Sequence, residues 1–528
     1  MMDKESEWEI VRWLWSLQRK GRWRMSIGGE DGCIGTLALS WSFAGFRKTE
    51  KLRMVHRTLA HCLQDPMETV FPKTKIPKCS KEEKKLLQKA AARSRRQERK
   101  RSLEDFLHYE SINISDYYFE NGLRKVFPYH FMFKAYVKRR WIDRPIHEVL
   151  LDEFNFPFPD IIHARCDSGD LRVNDECISP DYLLRDSDMI SHKVHRHEMP
   201  VLDSPIDFIH EDDDLLVINK PASIPVHPCG QYTLNSLTHI LARQYDRRPL
   251  RFTHRLDRMT SGLMIIAKNY DASLRLATEI SAREVKKYYI CRVDGHFPDE
   301  VEDSPSTLPQ GVIACTQPLG PLCSKMGLHA VVSESSGGKP ACTHFKRLLY
   351  DPDTNTSLVV CRLFTGRTHQ IRIHLQYLGY PITDDPLYNS SDWGDRKGKG
   401  AQYGVPVDEV IRRISAHRSK DSYLDFVHGT ESSISGFDRL RDHLNSTRSA
   451  LDKEVRDRLL QSFDSTCPEC IRFYKDPDMK CLVLQLHAYR YEGADWSYTA
   501  SLPSWATSLA SHTSDFPALI QSCISALG

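Results

Sequence analysis

From Ile206 onward the apolar positions gather into short runs, each closed by Gly, Pro or a cluster of charges. DLLVINKP (Asp214–Pro221) and SGLMIIAK (Ser261–Lys268) read as buried strands, and KKYYICRVDGHF (Lys286–Phe297) as a third. ACTHFKRLLY (Ala341–Tyr350) and SLVVCRLF (Ser357–Phe364) add further strands. Between them, Asp271–Arg283 and HQIRIHLQYLG (His369–Gly379) space their apolar residues three and four apart, as helices do. Strands and helices do not alternate in a strict βαβ rhythm, so the pattern predicts an α+β fold on a mixed, largely antiparallel sheet. A polar, charge-rich stretch over 390–465 interrupts that pattern and is expected as a surface insertion with its own helices. The core resumes at CLVLQLHAYRYEG (Cys481–Gly493).

Upstream, Trp141–Phe154 has helical periodicity and is followed by a Gly-bounded hairpin (SGDLRVNDE) and a closing strand (MISH). The preceding stretch interleaves aromatics with Arg124, Lys125, Lys134, Lys138, Arg139 and Arg140. That mix suits stacking on bases while holding phosphates, and core aromatics would look the same. Near the N-terminus, WEIVRWLWSLQRKGRWRM has helix-like spacing but no following core to support it.

Global charge says little, because 73 Lys and Arg face 70 Asp and Glu. The distribution says more: Lys73–Arg101 holds 13 basic residues against 3 acidic ones. Such a run is a solvated helix or tail, a phosphate-binding arm or an import signal. Fifteen cysteines with a single close pair, Cys467 and Cys470, do not form a disulfide framework, so a reducing compartment is expected. Cys33–Phe46 is too short and too polar to span a bilayer, and the acidic start MMDKESEWEI fits neither a secretory signal nor a transit peptide. The expectation is an intracellular, monomeric protein of cytoplasm or nucleus, with the mitochondrion open.

Neither GxGxxG after a strand nor GxxxxGK[ST] occurs, which argues against a nucleotide cofactor. His195 and His197 form an HxH pair with no further ligand close in sequence. Cys467 and Cys470 could join Cys481 and His487 in a structural zinc site, but ordinary thiols are the simpler reading. Neither a metal nor another cofactor is assigned. What stands out instead is four polar, Gly- or Pro-punctuated stretches: NKPASIPVHP (Asn219–Pro228), HRLDRMTSGL (His254–Leu263), KKYYICRVDG (Lys286–Gly295) and FTGRTHQIRIHLQYLGYPITDDPLY (Phe364–Tyr388).

In this order the four stretches resemble the RluA family of pseudouridine synthases. The span Tyr117–Trp505 resembles the family's eukaryotic branch that acts on tRNA, including YYFENGLRKVFPY, HRHE and VHPCGQY. The resemblance implies isomerisation of uridine within RNA, without a cofactor, on a base flipped out of the stack. It implies that Asp257 is the catalytic aspartate, that Tyr289 stacks on the target base, and that Arg372 is the cation that keeps Asp257 ionised. It also implies that Arg255 helps fill the space left by the flipped uridine. His254, Arg367, Thr368 and His369 are then phosphate contacts or scaffold. One carboxylate suffices, because a glycosidase leaving group needs a proton from a second acid whereas a departing uracil anion is delocalised and never released.

The order of elements over 111–200 resembles an S4-type RNA-binding module. Residues 1–110 are then a poorly ordered basic extension, 201–389 with 466–506 the catalytic domain, and 507–528 a C-terminal tail. Within the branch the resemblance points to uridine 32 of the tRNA anticodon loop. The alternatives are an rRNA or mRNA target, or an idle RNA-binding protein or chaperone on the same fold. Ser223 stands where the family has Gly, and Asp384 and Asn389 stand where the branch tends to have Asn and Gly.

Overall fold

The computed structural model describes residues 116–154, 159–299, 308–324, 326–417, 436–446, 451–465, 467, 469–470, 476–510 and 515–528. The basic run and the N-terminal helical pattern lie outside them. Strands β1 (Tyr117–Glu120) and β2 (Leu123–Val126) form a hairpin across Asn121-Gly122. Both turn residues take positive φ, as the tight turn between twisted strands requires.

A small module follows. Strands β3 (Tyr129–Tyr136), β4 (Leu171–Val173), β5 (Glu176–Cys177) and β6 (Met189–Arg196) form an antiparallel sheet in the order β3-β6-β4-β5. Helices α1 (Ile146–Phe154) and α2 (Pro159–Asp167) complete the module, which has a separate core around Trp141, Ile146, Val149, Ile162 and Leu171. The short strand β7 (Val201–Leu202) then pairs with β2.

The main sheet comprises β8 (Asp207–Glu211), β9 (Leu215–Lys220), β10 (Arg251–Phe252), β11 (Ser261–Ala267), β12 (Lys286–Asp294), β13 (Val312–Cys315), β16 (Thr343–Asp351), β17 (Thr356–Leu363), β18 (Leu486–Glu492) and β19 (Ser497–Thr499). Strands β14 (Leu319–Cys323) and β15 (Leu328–Val331) form a hairpin beside it. Its order is β13-β16-β17-β12-β18-β11-β9-β8, with β10 on β11 and β19 on β18. Every pairing is antiparallel except β11 with β18. The fold is thus α+β on a mixed, largely antiparallel sheet, and the strands and helices read from Asp214 to Gly379 are present.

Period-two alternation gives the sheet two buried faces. Tyr289, Cys291, Val359 and Cys361 face a core shared with α3 (Leu237–Gln244), α4 (Tyr270–Ala282) and α5 (Gln370–Leu378). Tyr288, Ile290, Leu358 and Val360 face the other way. Helix α10 (Phe516–Leu527) covers that second face with Ile520, Cys523, Ile524 and Leu527, preceded by the short helix α9 (Ser504–Ala510). Asp515 caps α10 by accepting from the Ala518 N–H, and Arg362 donates to the Leu527 carbonyl at 2.7 Å. The expected C-terminal tail is therefore in part a core helix. Each such buried side chain contributes roughly 1.5–3 kcal/mol.

The insertion also differs from its expectation. Helices α6 (Val407–His417), α7 (Gly436–Ser446) and α8 (Lys453–Gln461) are present. Its beginning, however, is core: Trp393, Val410 and Ile414 pack with Leu328, Ile373 and Tyr388. Their apolar residues are too sparse among charges to show that in sequence.

Candidate active site

The loop that carries Asp257 runs from β10 into β11 and is fixed at both ends. At its exit, Gly262 has φ +111°, and a Cβ there would lie 2.3 Å from the Ala488 carbonyl oxygen. Only glycine lets β11 approach β18 this closely. The Thr260 N–H donates to the Asp257 carbonyl at 3.1 Å and closes the turn. Behind it, the fully buried Lys220 donates to the carbonyls of Pro221, Ile224 and Arg258 at 2.7, 2.9 and 3.3 Å. Burial, aided by Arg258 and opposed by Asp257, brings the Lys220 pKa down to about 7. The three carbonyls occupy all three ammonium protons and so favour the charged form. Ser223 takes φ +70° in this turn, and its hydroxyl accepts from the Leu202 N–H. The serine thus adopts the glycine-like conformation and gains a bond.

Helix α5 delivers the second half of the site. Arg372 is buried and holds Asp385 with two parallel bonds, Nε to Oδ2 at 2.7 Å and Nη2 to Oδ1 at 2.8 Å. Its remaining terminal nitrogen, Nη1, lies 3.6 Å from Asp257 Oδ2. The expected ion pair of Arg372 with Asp257 is thus present, and Asp385 is a second, tighter carboxylate partner of the same guanidinium that the sequence did not suggest. Burial opposes charge on both groups of the tighter pair. Arg372 and the N–H groups of Leu387 and Tyr388 nonetheless hold Asp385 below the usual carboxylate range. Asp385, with Asp257 second, likewise keeps the guanidinium charged. The Tyr388 ring lies under that guanidinium at 4.9 Å and stacks on Trp393.

His369 begins α5 with φ +57°. Its Nε2 lies 3.8 Å from Asp257 and its Nδ1 2.9 Å from the Tyr388 hydroxyl. The loop before it is locked by a chain of bonds. Gln370 Oε1 accepts from Thr365 and from the Arg367 N–H, Gln370 Nε2 donates to Thr343, and the Thr343 hydroxyl meets His374. Thr368 is exposed. Arg367 is half-buried, and its Nε donates to the Pro340 carbonyl.

Tyr289 enters from β12. Its hydroxyl bonds that of Tyr491 at 2.8 Å, and burial pushes its pKa up, so it stays protonated. His254 serves as scaffold: Nε2 accepts from the Ile265 N–H at 3.2 Å, its ring meets Tyr491 edge-on, and burial lowers its pKa to about 3. Arg255 is exposed beside Asp257. Asp384 is exposed at φ +59° and accepts from Gln485, while Asn389 holds Asp294 and the Ile382 carbonyl.

Asp257, His369 and Arg372 therefore form one constellation, with Tyr289 near enough for Asp257 to reinforce the upward push on its hydroxyl. Asp257 is the open carboxylate, its side chain 21% exposed, whereas the Asp385 side chain is fully buried. Sequence reading missed Asp385, Lys220 and Tyr491 as site residues. The signal for the first two was their position inside stretches already singled out, NKP and ITDDPLY. Tyr491 had none beyond its place in a strand.

Of the basic residues interleaved with aromatics, Arg124 is buried and Lys125 pairs with Glu120 and Asp476. Neither is available to RNA. Along β3, Met132, Phe133 and Tyr136 are exposed.

Residues 214–377 match the RNA pseudouridylate synthase family, and this span includes Asp257, Tyr289 and Arg372. The chain is 36% identical over 424 residues to mouse pseudouridylate synthase RPUSD2, covering 75% of this chain and 74% of that protein. It is 35% identical over 400 residues to the mitochondrial tRNA pseudouridine(32) synthase of Saccharomyces cerevisiae, covering 73% and 78%. With the yeast tRNA pseudouridine(31) synthase it shares 31% identity over 428 residues, covering 75% and 98%. The chain belongs to the RNA pseudouridylate synthase family. It is an RNA pseudouridine synthase, an isomerase that converts uridine to pseudouridine within RNA.

Proposed function

We propose that this protein isomerises uridine 32 in the anticodon loop of tRNA, with Asp257 as the reacting carboxylate. The observation that carries the role of Asp257 is its geometry: an accessible carboxylate 3.6 Å from a guanidinium whose other face is fixed by Asp385. The reaction breaks the bond between N1 and C1′, rotates the base and joins C5 to C1′; C5 gives up its proton and the freed N1 takes one up, so the product is an isomer of uridine. No external acid is needed for a leaving group that stays in the site. Asp385 is enclosed by Arg372 and two backbone N–H groups and is not open to substrate. Tyr289 stacks on the flipped uracil, and Arg255 enters the space it vacates. His369, Arg367 and Thr368 line the approach of the phosphates.

The module of β3 to β6 acts as an S4-like RNA-binding unit. Met132 and Tyr136 are exposed on the same face of β3 as Lys134, which supports stacking and phosphate contact on one surface. Support for tRNA and for position 32 comes from the yeast tRNA pseudouridine(32) synthase. That relative is mitochondrial by name, which keeps the mitochondrion beside cytoplasm and nucleus as the place of action.

The test maps pseudouridine in RNA from cells lacking the protein and complements them with wild type or Asp257→Asn. Uridine 32 should lose the modification and regain it only with wild type. Loss confined to position 31, or to rRNA or mRNA, would reject the proposed target. Equal rescue by Asp257→Asn would reject the role of Asp257.

A further inference from the structure

His195 and His197 have no metal partner near them in sequence, yet the fold brings one. Cys470 Sγ lies 3.4 Å from His195 Nδ1 and 3.3 Å from His197 Nε2, and Cys467 Sγ lies 3.6 Å from His197 Nε2. The four donor atoms all fall within 4.8 Å of one another. The partners anticipated for the two cysteines are not in this group: Cys481 is exposed, and His487 is buried against the Ser261 hydroxyl.

A tetrahedral ion with Zn–S of about 2.3 Å and Zn–N of about 2.0 Å has sulfur–nitrogen edges of about 3.5 Å. The three sulfur–nitrogen separations of 3.3, 3.4 and 3.6 Å match those edges. Two imidazoles and two thiols, with no carboxylate among them, favour zinc over magnesium or calcium. We propose that His195, His197, Cys467 and Cys470 hold a structural zinc ion.

The position of the site gives it a role. Cys467 and Cys470 lie on the return from the insertion to β18, and His195 lies near the end of β6 in the small module. The ion joins these two segments across more than 260 residues. Arg196 ends β6, and its guanidinium lies 3.7 Å from the Glu198 carboxylate, so these two side chains work together away from the two histidines. Arg196 donates to the Gly230 carbonyl at 2.7 Å. Glu198 accepts from the N–H groups of Thr233, Leu234 and Asn235 at 2.8–2.9 Å and from the Tyr129 hydroxyl at 2.6 Å. Within the segment they hold, Tyr232 receives the Arg258 guanidinium over its ring, one residue from Asp257. Zinc on one side of HRHE thus steadies the segment that backs the catalytic loop on the other. With four protein ligands the ion has no open position, so it is structural and takes no part in the isomerisation.

This inference is independent of the RNA target and of the role of Asp257. The test is elemental analysis of the full-length protein purified in reducing buffer from zinc-replete cells. About one zinc per chain is expected in wild type and in Cys481→Ser, and less than about a tenth in Cys467→Ser/Cys470→Ser. Replacement of zinc by cobalt(II) in wild type should give the intense absorption of cobalt–thiolate bonds. Wild type without zinc and without that cobalt spectrum would overturn the proposal, whatever the variants do. So would loss of the metal in Cys481→Ser alone, or its full retention in the double serine variant.

Discussion

Arg372 commits Nε and Nη2 to Asp385 at 2.7 and 2.8 Å and leaves Nη1 facing Asp257 at 3.6 Å. The tighter bond orients the looser one. Asp385→Asn keeps the shape but removes the charge that fixes the guanidinium. Since a misplacement of about 1 Å can cost about a hundredfold in rate, kcat should fall by roughly that factor. RNA affinity should stay within a few-fold, because Asp385 is enclosed. Tritium release from [5-³H]uridine in RNA reports turnover, and a filter-binding titration reports affinity. Equal losses in the two would mean that Asp385 supports the RNA surface as a whole and not the orientation of Arg372.

Gly262 separates a tight backbone approach from an ordinary turn. A Cβ at this position would lie 2.3 Å from the Ala488 carbonyl oxygen and 2.5 Å from its nitrogen, at φ +111°. Backbone cannot yield as a side chain can, so Gly262→Ala should destabilise the fold by about 3 kcal/mol or more. Gly404 also has positive φ, but its Cβ would meet nothing within 4 Å. Gly404→Ala should cost only about 1 kcal/mol. Urea midpoints of the two variants should therefore differ clearly, and similar midpoints would remove the close approach as the reason for Gly262.

The elements legible in the sequence were those with a clean local period. SGLMIIAK and SLVVCRLF are strands because their apolar runs are short and bounded, and Tyr288 and Tyr289 divide between two faces by simple alternation. The constellation of the candidate site was legible only through its resemblance to a family, since Asp257 and Arg372 are distant in sequence. Features made by long-range pairing were not legible. Asp385 beside Arg372 looks like one more turn carboxylate until its burial is seen. Trp393 lies in a charged stretch yet is fully buried against Tyr388. The HxH pair meets its cysteines only after the chain has crossed the main sheet.

Lys220 gives a sharper test of how the Asp257 loop is supported. Its ammonium serves three backbone carbonyls, including that of Arg258. Lys220→Met keeps the length of the side chain and strips all three of their donor. An orphaned buried acceptor costs about 1–3 kcal/mol, and removing a buried charge returns part of that. A net loss of about 2 kcal/mol is expected in urea denaturation, with a fall in kcat from the loosened loop. Unchanged stability would show that water or the backbone itself satisfies the carbonyls.

Acid should weaken the fold before its carboxylates titrate. His374 is buried: its Nε2 donates to the Gln317 carbonyl at 3.0 Å, and its Nδ1 accepts from the Thr343 hydroxyl at 2.9 Å. Burial lowers its pKa to about 4, and it does the same for His487. Between about pH 4 and the ordinary histidine value near 6.5, the unfolded chain binds these two protons and the folded chain does not. Stability is therefore full above about pH 6.5 and declines as pH falls, by up to about 1.4 kcal/mol per unit for each histidine. Urea midpoints measured from pH 7.5 to 4.5 should decrease over that window, and His374→Gln should flatten the slope by roughly a quarter of its histidine part, since burial depresses His192, His254 and His487 as well. Midpoints independent of pH between 7 and 5 would show that neither imidazole is held neutral by burial.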